Sequence, residues 1–269
     1  MRSSETPSPA SRLEASGGPL CISLESFSPP PGFDFAVSRA LLERVAAGHE
    51  PDSLRIYRPA PMVAFGPADC VSPGYDAARC AAEEHGFAAI ERLAGGRAAV
   101  YHEGTIAFAW TVREEDARAR VLERFALIAG ILAEALRNLG IDARIGEVPG
   151  EYCPGAYSIN ARGETKIAGV GQRIVRGAAH VGGVIVVDGA ERVSRVLGPV
   201  NEALGIKWDA RAVGSVADER ANADWDDVVD TIWGAFAGRY ELLPAPLSPE
   251  TLARARSIAG LDTGTVAPA

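Results

Sequence analysis

The chain reads as one α+β domain with a mixed, largely antiparallel sheet and flanking helices. Three observations predict this. Short β-patterned runs cluster around Gly- and Pro-bearing turns, long helical patterns interrupt those clusters, and neither a repeat nor a linker divides the 269 residues before Pro244. A chain of this length buries a substantial core as one large domain.

Taken in order, Met1–Gly18 mixes Ser, Pro, Glu and Ala and reads as a disordered tail, with too little apolar surface to offset the entropy of ordering. After the Pro29-Pro30-Pro31-Gly32 breaker, Phe35–Ala47 reads as a helix turning Leu41, Leu42 and Val45 inward. Leu54–Arg58 and Pro61–Phe65 read as strands paired around the Pro59-Ala60-Pro61 turn. Tyr75–His85 is helical and Gly86 closes it. Ala88–Leu93, Ala98–His102 and Ile106–Val112 follow as strands. Val121, Phe125, Ile128, Leu132, Ala135 and Leu139 step by four and three along one helical face, with Gly140 at the left-handed cap. Strands resume at Ala156–Asn160, Lys166–Gly169 and Val181–Val187. A last amphipathic helix carries Trp225, Val228, Val229, Ile232 and Phe236 behind Asp224. Residues 244–269 then make a turn, a short helix and a frayed tail.

The net charge of −8 and the lack of a long basic run argue against non-specific nucleic-acid binding. Four cysteines are too few for a disulfide scaffold, and none sits in a C-x-x-C pair of the zinc kind. The longest strongly apolar run, Ala126–Ala133, is too short to span a bilayer, and the first residues lack the apolar stretch of a signal peptide. A reducing cytoplasm is the expected setting, with no metal site.

Two segments carry chemistry. In Arg92-Leu-Ala-Gly-Gly-Arg-Ala-Ala-Val-Tyr-His102, Gly95 and Gly96 let a ligand approach backbone N–H groups that hold a phosphate or an acyl carbonyl, with Arg92 and Arg97 adding charge. Read alone, the same string is more often a hairpin turn with solvated arginines. In Glu151–Arg173, Cys153 stands in a Pro/Gly loop of the kind that displays functional groups. As a nucleophile it needs a nearby cation to favour the thiolate, and Lys166 is the candidate cation and base if Gly155 and Gly163 fold the chain back. The plain alternatives are a small buried hydrophobe and a solvated lysine. His180 is read as a satisfied core histidine, and the Asp224–Asp230 acids as favourable partners of a helix start.

The string R-x-x-G-G-R-A-x-V-x-H resembles the signature of the biotin/lipoate ligase and octanoyltransferase superfamily, and C-P-G-x-Y-S-I…K-I-A-G-V-x-Q-R resembles the Gram-positive octanoyl-carrier amidotransferases. The resemblance implies a single lipoate-ligase-like catalytic domain over residues 19–243. It implies Cys153 as the nucleophile that forms an acyl-thioester and Lys166 as its partner. Arg92, Gly95, Gly96, Arg97, Ala98, Tyr101, His102, Gly169 and Gln172 would bind the acyl substrate. The expected reaction moves an octanoyl or lipoyl group from a carrier protein to the lysine of a lipoyl domain, with no cofactor. An ATP- and Mg-dependent lipoate–protein ligase is the main alternative. Ala94 and Arg97 replace the Ser and third Gly of many ligase loops, and no long segment follows Leu243, both of which point to the transferase. A non-catalytic module that binds an acyl carrier or lipoyl domain is the third reading, and biotin ligation fits less well.

Overall fold

The computed structural model describes residues 19–27 and 29–261, so the expected disordered tail 1–18 and the last residues of the C-terminal tail lie outside the described residues. In chain order the strands are β1 (Leu20–Ser23), β2 (Ser53–Tyr57), β3 (Met62–Phe65), β4 (Ala88–Glu91), β5 (Ala99–Tyr101), β6 (Thr105–Arg113), β7 (Ala143–Ile145), β8 (Ile159–Ala161), β9 (Thr165–Val175), β10 (Ala178–Val186) and β11 (Leu242–Pro244). The helices are α1 (Phe33–Ala46), α2 (Pro67–Cys70), α3 (Tyr75–Glu84), α4 (Val121–Asn138), α5 (Ala190–Ala203), α6 (Val216–Glu219), α7 (Trp225–Ala237) and α8 (Pro249–Ala259).

Eight strands form one sheet in the order β11-β1-β2-β6-β10-β9-β8-β7, and three form a second in the order β4-β3-β5. In the large sheet β1 runs parallel to both β11 and β2, and every other pairing is antiparallel. The α+β reading and its largely antiparallel sheet therefore hold, divided over two sheets. The expected hairpin of Leu54–Arg58 with Pro61–Phe65 does not form. β2 pairs with β6, whereas β3 crosses to the small sheet between β4 and β5. The Pro59-Ala60-Pro61 turn is a passage between layers.

Apolar α4 and α7 cover one face of the large sheet. Leu127, Ile128, Ile131, Leu132 and Leu136 meet Val228, Ile232 and Phe236 there, all buried. Helices α3 and α5 back the small sheet through Ala78, Ala82, Val196, Leu197 and Val200. Helix α5 has no counterpart among the expected elements, and it carries Pro199 inside it, a residue that interrupts a helical pattern. At the C-terminal end β11 adds to β1, and α8 packs Ala255 against the Phe33, Val37 and Leu41 side of α1. The boundary expected at Leu243 thus falls inside a strand, and 249–259 belongs to the domain core. Strand β9 is longer than expected and β8 shorter, starting at Ile159.

A buried cation pins α1 to the sheet. Arg55 on β2 pairs with Asp34 at 2.6 Å and also donates to Ser38 Oγ and the Glu25 carbonyl. The segment 92–98 between β4 and β5 lies over β9, where the Gly95 N–H donates to the Gln172 carbonyl at 3.4 Å. The crevice between the two sheets is where the chemistry gathers.

Candidate active site

The loop from Val148 to Ser158 wraps around a carboxylate. Glu151 Oε2 accepts from the Val148 N–H at 2.9 Å. Its Oε1 accepts from Gly155 N–H at 3.1 Å, Ser158 Oγ at 2.6 Å and Lys166 Nζ at 3.0 Å. The same ammonium donates to the carbonyls of Tyr152 at 3.0 Å and Cys153 at 2.7 Å, and it lies 4.9 Å from the Tyr152 ring centroid. Three acceptors for three N–H bonds are the complement of a lysine ammonium. Both side chains of the ion pair are buried, Lys166 at 2% exposure. Turning two successive carbonyls onto one cation bends the chain sharply, and Cys153 sits at φ 46°, a left-handed position that a residue with a β-carbon rarely takes.

This bend delivers the sulfur to the glycine loop. The Arg97 N–H points at Cys153 Sγ over 3.1 Å, and Arg92 Nη2 lies 3.5 Å from it while also donating to the Arg97 carbonyl at 2.6 Å. Gly96 has φ 104°, and a β-carbon there would stand 2.2 Å from Arg92 Nη2 and 2.9 Å from Sγ. Only glycine leaves room for the guanidinium and the thiol together. The loop is held from behind by backbone contact: a β-carbon on Gly66 would fall 1.7 Å from the Gly96 carbonyl oxygen. Asp69, fully buried at the start of α2, accepts from Gly66 N–H and from Arg97 Nη1, each at 3.1 Å, and ties the Arg97 side chain down.

The sulfur faces a cavity of about 470 Å³, lined by Cys153, Lys166, Arg92, Gly95, Gly96, Tyr101, Gly169 and Gln172 on the polar side. Its outer wall is apolar: Val121, Leu122, Phe125, Tyr157, Val170 and Ile174, with the Phe125 and Tyr157 rings stacked at 5.2 Å. Such a volume with an apolar lining and few polar groups suits a small acyl ligand. Buried Arg124 shapes one side, donating to Gln172 Oε1 at 3.0 Å and pairing with Glu114, while Gln172 Nε2 donates to the Val121 carbonyl at 2.8 Å. A smaller inner chamber of about 30 Å³ continues inward past Arg92, Tyr101 and Gly183, to Phe35, Tyr57 and His180. Burial, with Arg55 adding to it, lowers the His180 pKa to about 4, so the chamber meets a neutral imidazole. Burial raises the Tyr101 phenol, against the opposing pull of Arg92.

The expected residues divide. Cys153, Lys166, Arg92, Gly95, Gly96, Tyr101, Gly169 and Gln172 share one cavity. Arg97 contributes its amide, its guanidinium going to Asp69. Ala98 is packed in the core with Val63 and Val100. His102 closes the β5–β6 turn, accepting from the Gly104 N–H at 3.0 Å, and burial lowers its pKa to about 4; neither residue lines the cavity. Lys166 also differs from expectation, because its ammonium is spent on Glu151 and two carbonyls, and Arg92 is the cation at the sulfur. Glu151, Asp69 and Arg124 were not singled out in the sequence. Glu151 alone had a readable signal, an acid two residues before a Cys-Pro-Gly loop. His180 is buried as expected, yet it lines the inner chamber. Among the described residues no group of His, Cys, Asp and Glu is placed to hold a metal ion, and no helix is long and apolar enough to cross a membrane.

Comparison with known proteins adds to this geometry. The family model of the lipoyl protein ligase A/B catalytic domain matches residues 30–237. An octanoyl-[GcvH]:protein N-octanoyltransferase of Geobacillus kaustophilus is 30% identical over 156 residues, 58% of this chain and 55% of the relative. One from Anoxybacillus flavithermus is 29% identical over 164 residues, 60% and 58% of the two chains. The matches thus span little more than half the length of these curated relatives. Among solved structures, lipoate-protein ligase A bound with ATP superposes with a TM-score of 0.72 at 20% identity, over 90% of this chain and 94% of that one. The structure of a bipartite lipoate protein ligase and its E2 lipoyl domain from Thermoplasma acidophilum gives 0.68 at 20%, over 90% and 92%. At that identity the likeness is one of fold.

Proposed function

With residues 30–237 matching its model, the chain belongs to the lipoyl protein ligase A/B catalytic-domain family, and from that premise we propose that it is an acyltransferase. It would move an octanoyl (or lipoyl) group from a carrier protein to a lysine of a lipoyl domain, through a thioester on Cys153. The observation that carries the reading is the position of the Cys153 sulfur, in the wall of an apolar cavity and in contact with the Arg97 N–H and the Arg92 guanidinium.

A thiolate is the attacking form, and an N–H donor and a cation beside the sulfur are the partners a thiolate accepts. The cavity's apolar lining would take the acyl tail with its carbonyl at the sulfur. Attack forms the Cys153 thioester and breaks the bond to the carrier, whose leaving thiolate takes up the proton the cysteine lost. The ε-amine of the acceptor lysine then attacks, the amide forms, the amine's proton passes to solvent and Cys153 leaves as thiolate. Exchange of one thioester for another is nearly balanced, and thioester to amide runs downhill, so no nucleotide is needed. A carrier holding the acyl group as an amide would enter by the same attack, its amine leaving with the proton the cysteine lost; that first step runs uphill, and forming the new amide recovers it. Lys166 and Glu151 act as positioning residues, fixing the bend that presents the sulfur.

Two of the site's cations are already engaged. Every N–H of Lys166 already has an acceptor, and Arg97 is tied to Asp69, so neither offers a free donor to a phosphate. All four cysteines are free thiols, in keeping with a cytoplasmic setting.

Incubation of the protein with an octanoyl-loaded carrier, without ATP, followed by intact mass measurement, tests the reading. The expected result is one octanoyl adduct, absent in Cys153→Ser, and lysine acylation of a lipoyl domain that the same substitution abolishes. Product that requires ATP, or that survives Cys153→Ser, points to the ligase instead. Carrier binding with no mass added to either protein points to a non-catalytic module.

A further inference from the structure

Behind the inner chamber lies a second, larger cavity of about 650 Å³, between α1, the end of β4, the outer half of β9 and the end of α8. Its walls are mostly apolar, including Phe33, Ile90, Val175, Ile258 and Leu261, and exposed Arg39 and Arg173 stand at its rim. Phe35, Arg92 and Leu93 line both this cavity and the inner chamber, so they form the partition between the two. On the near side, Arg92, Tyr101 and Gly183 join the inner chamber to the cavity that holds Cys153. Three spaces therefore lie in series, and one aromatic ring stands across the second junction. That ring is braced: Phe35 meets Tyr101 edge-on, centroids 5.3 Å apart at 81°.

We propose that Phe35 is the end stop of the acyl site, setting the longest chain that Cys153 accepts, and that the cavity behind it takes the distal methylenes of longer chains once the ring is removed. The inference rests on the acyl-transfer reading and assigns its chain-length selectivity. The continuity of apolar lining on both sides of Phe35 names the occupant: the space beyond is walled like the space before it, and only a hydrocarbon tail threading the chamber reaches it from the sulfur. Each methylene moved from water into the second cavity favours binding by roughly fourfold.

The test offers equal amounts of octanoyl and dodecanoyl carrier thioesters to the wild-type chain, to Phe35→Ala and to Leu93→Ala, and reads the ratio of the two adducts by intact mass. Calorimetric titration with free octanoate and dodecanoate runs in parallel and needs no chemistry. The wild type takes octanoyl over dodecanoyl. Phe35→Ala raises the dodecanoyl share by about tenfold or more, by adduct and by calorimetry, and Leu93→Ala moves it in the same direction, which keeps the test intact if the first variant folds poorly. A ratio within about twofold of wild type in the folded variants overturns the proposal. If no thioester forms on Cys153 in any protein, the transferase reading fails, and the calorimetric ratio alone then upholds or overturns the end stop.

Discussion

Replacing Lys166 by methionine keeps the length and apolar bulk of the side chain and deletes only its charge and donors. In the wild type that ammonium is buried against Glu151 and supplies both the Tyr152 and Cys153 carbonyls. The variant leaves a carboxylate inside the protein without its counter-ion and two carbonyls without a donor. Breaking one side of a buried pair costs about 3–5 kcal/mol. Glu151 retains Val148 N–H, Gly155 N–H and Ser158 Oγ as partners, so the lower end, about 3 kcal/mol, is expected. For a domain of this size each kcal/mol moves the midpoint by roughly 2–4 °C, so melting followed by circular dichroism should fall by about 6–12 °C. The strained bend at Cys153 should relax in the same variant, taking Sγ away from the Arg97 N–H and altering the rate at which iodoacetamide alkylates the thiol. Adding Glu151→Gln should recover part of the lost stability, since the orphaned charge is then gone. Were Lys166→Met to melt within about 2 °C of wild type, with Cys153 alkylated at the wild-type rate, the ion pair would not be what shapes this loop.

Two further outcomes follow from the geometry. Gly66 has an ordinary negative φ, so alanine there is not strained; its β-carbon collides with the Gly96 carbonyl and must push the loop off. Acyl transfer by Gly66→Ala should fall by about tenfold to a hundredfold while the melting point drops only modestly, and a kcat/KM within twofold of wild type would refute the backbone brace. The second concerns acid. His180 is held neutral down to about pH 4, whereas an unfolded histidine takes its proton near 6.5. Its contribution is complete above pH 6.5 and is lost as pH falls toward 4, up to about 3 kcal/mol, because the unfolded chain binds the proton first. Urea midpoints at pH 7 and pH 4.5 should diverge less in His180→Gln than in wild type; an unchanged difference would show that other groups, His102 among them, carry the acid sensitivity.

Much of this fold is legible where one segment determines its own structure. The four-and-three spacing from Val121 to Leu139 identifies α4, and Gly140 at φ 85° ends it as its lack of a β-carbon allows. That same spacing misplaces Val121 and Phe125, which point at the cavity; periodicity marks an apolar face and not what it faces. Strand partners were less accessible. Nothing within Leu54–Phe65 indicates that β2 joins a strand some fifty residues onward while β3 joins another sheet. Motif resemblance located Cys153 and Lys166 but not their relation, because the lysine's role depends on a carboxylate fifteen residues earlier whose oxygens gather three donors from their own loop besides the lysine. Asp69 was equally silent: its work is to hold an arginine that chain order puts twenty-eight positions away.

The hydrogen offered to the sulfur by residue 97 belongs to the peptide and not to the arginine. Nineteen amino acids carry that same amide, and proline alone does not. Alanine scanning at this position therefore reads the loss of the Asp69 ion pair, while the amide that meets the thiol goes unprobed. The neighbourhood of the reactive atom is written in main chain, where substitution seldom reaches, and the side chain at 97 bears on it only through the buried Asp69 that holds it.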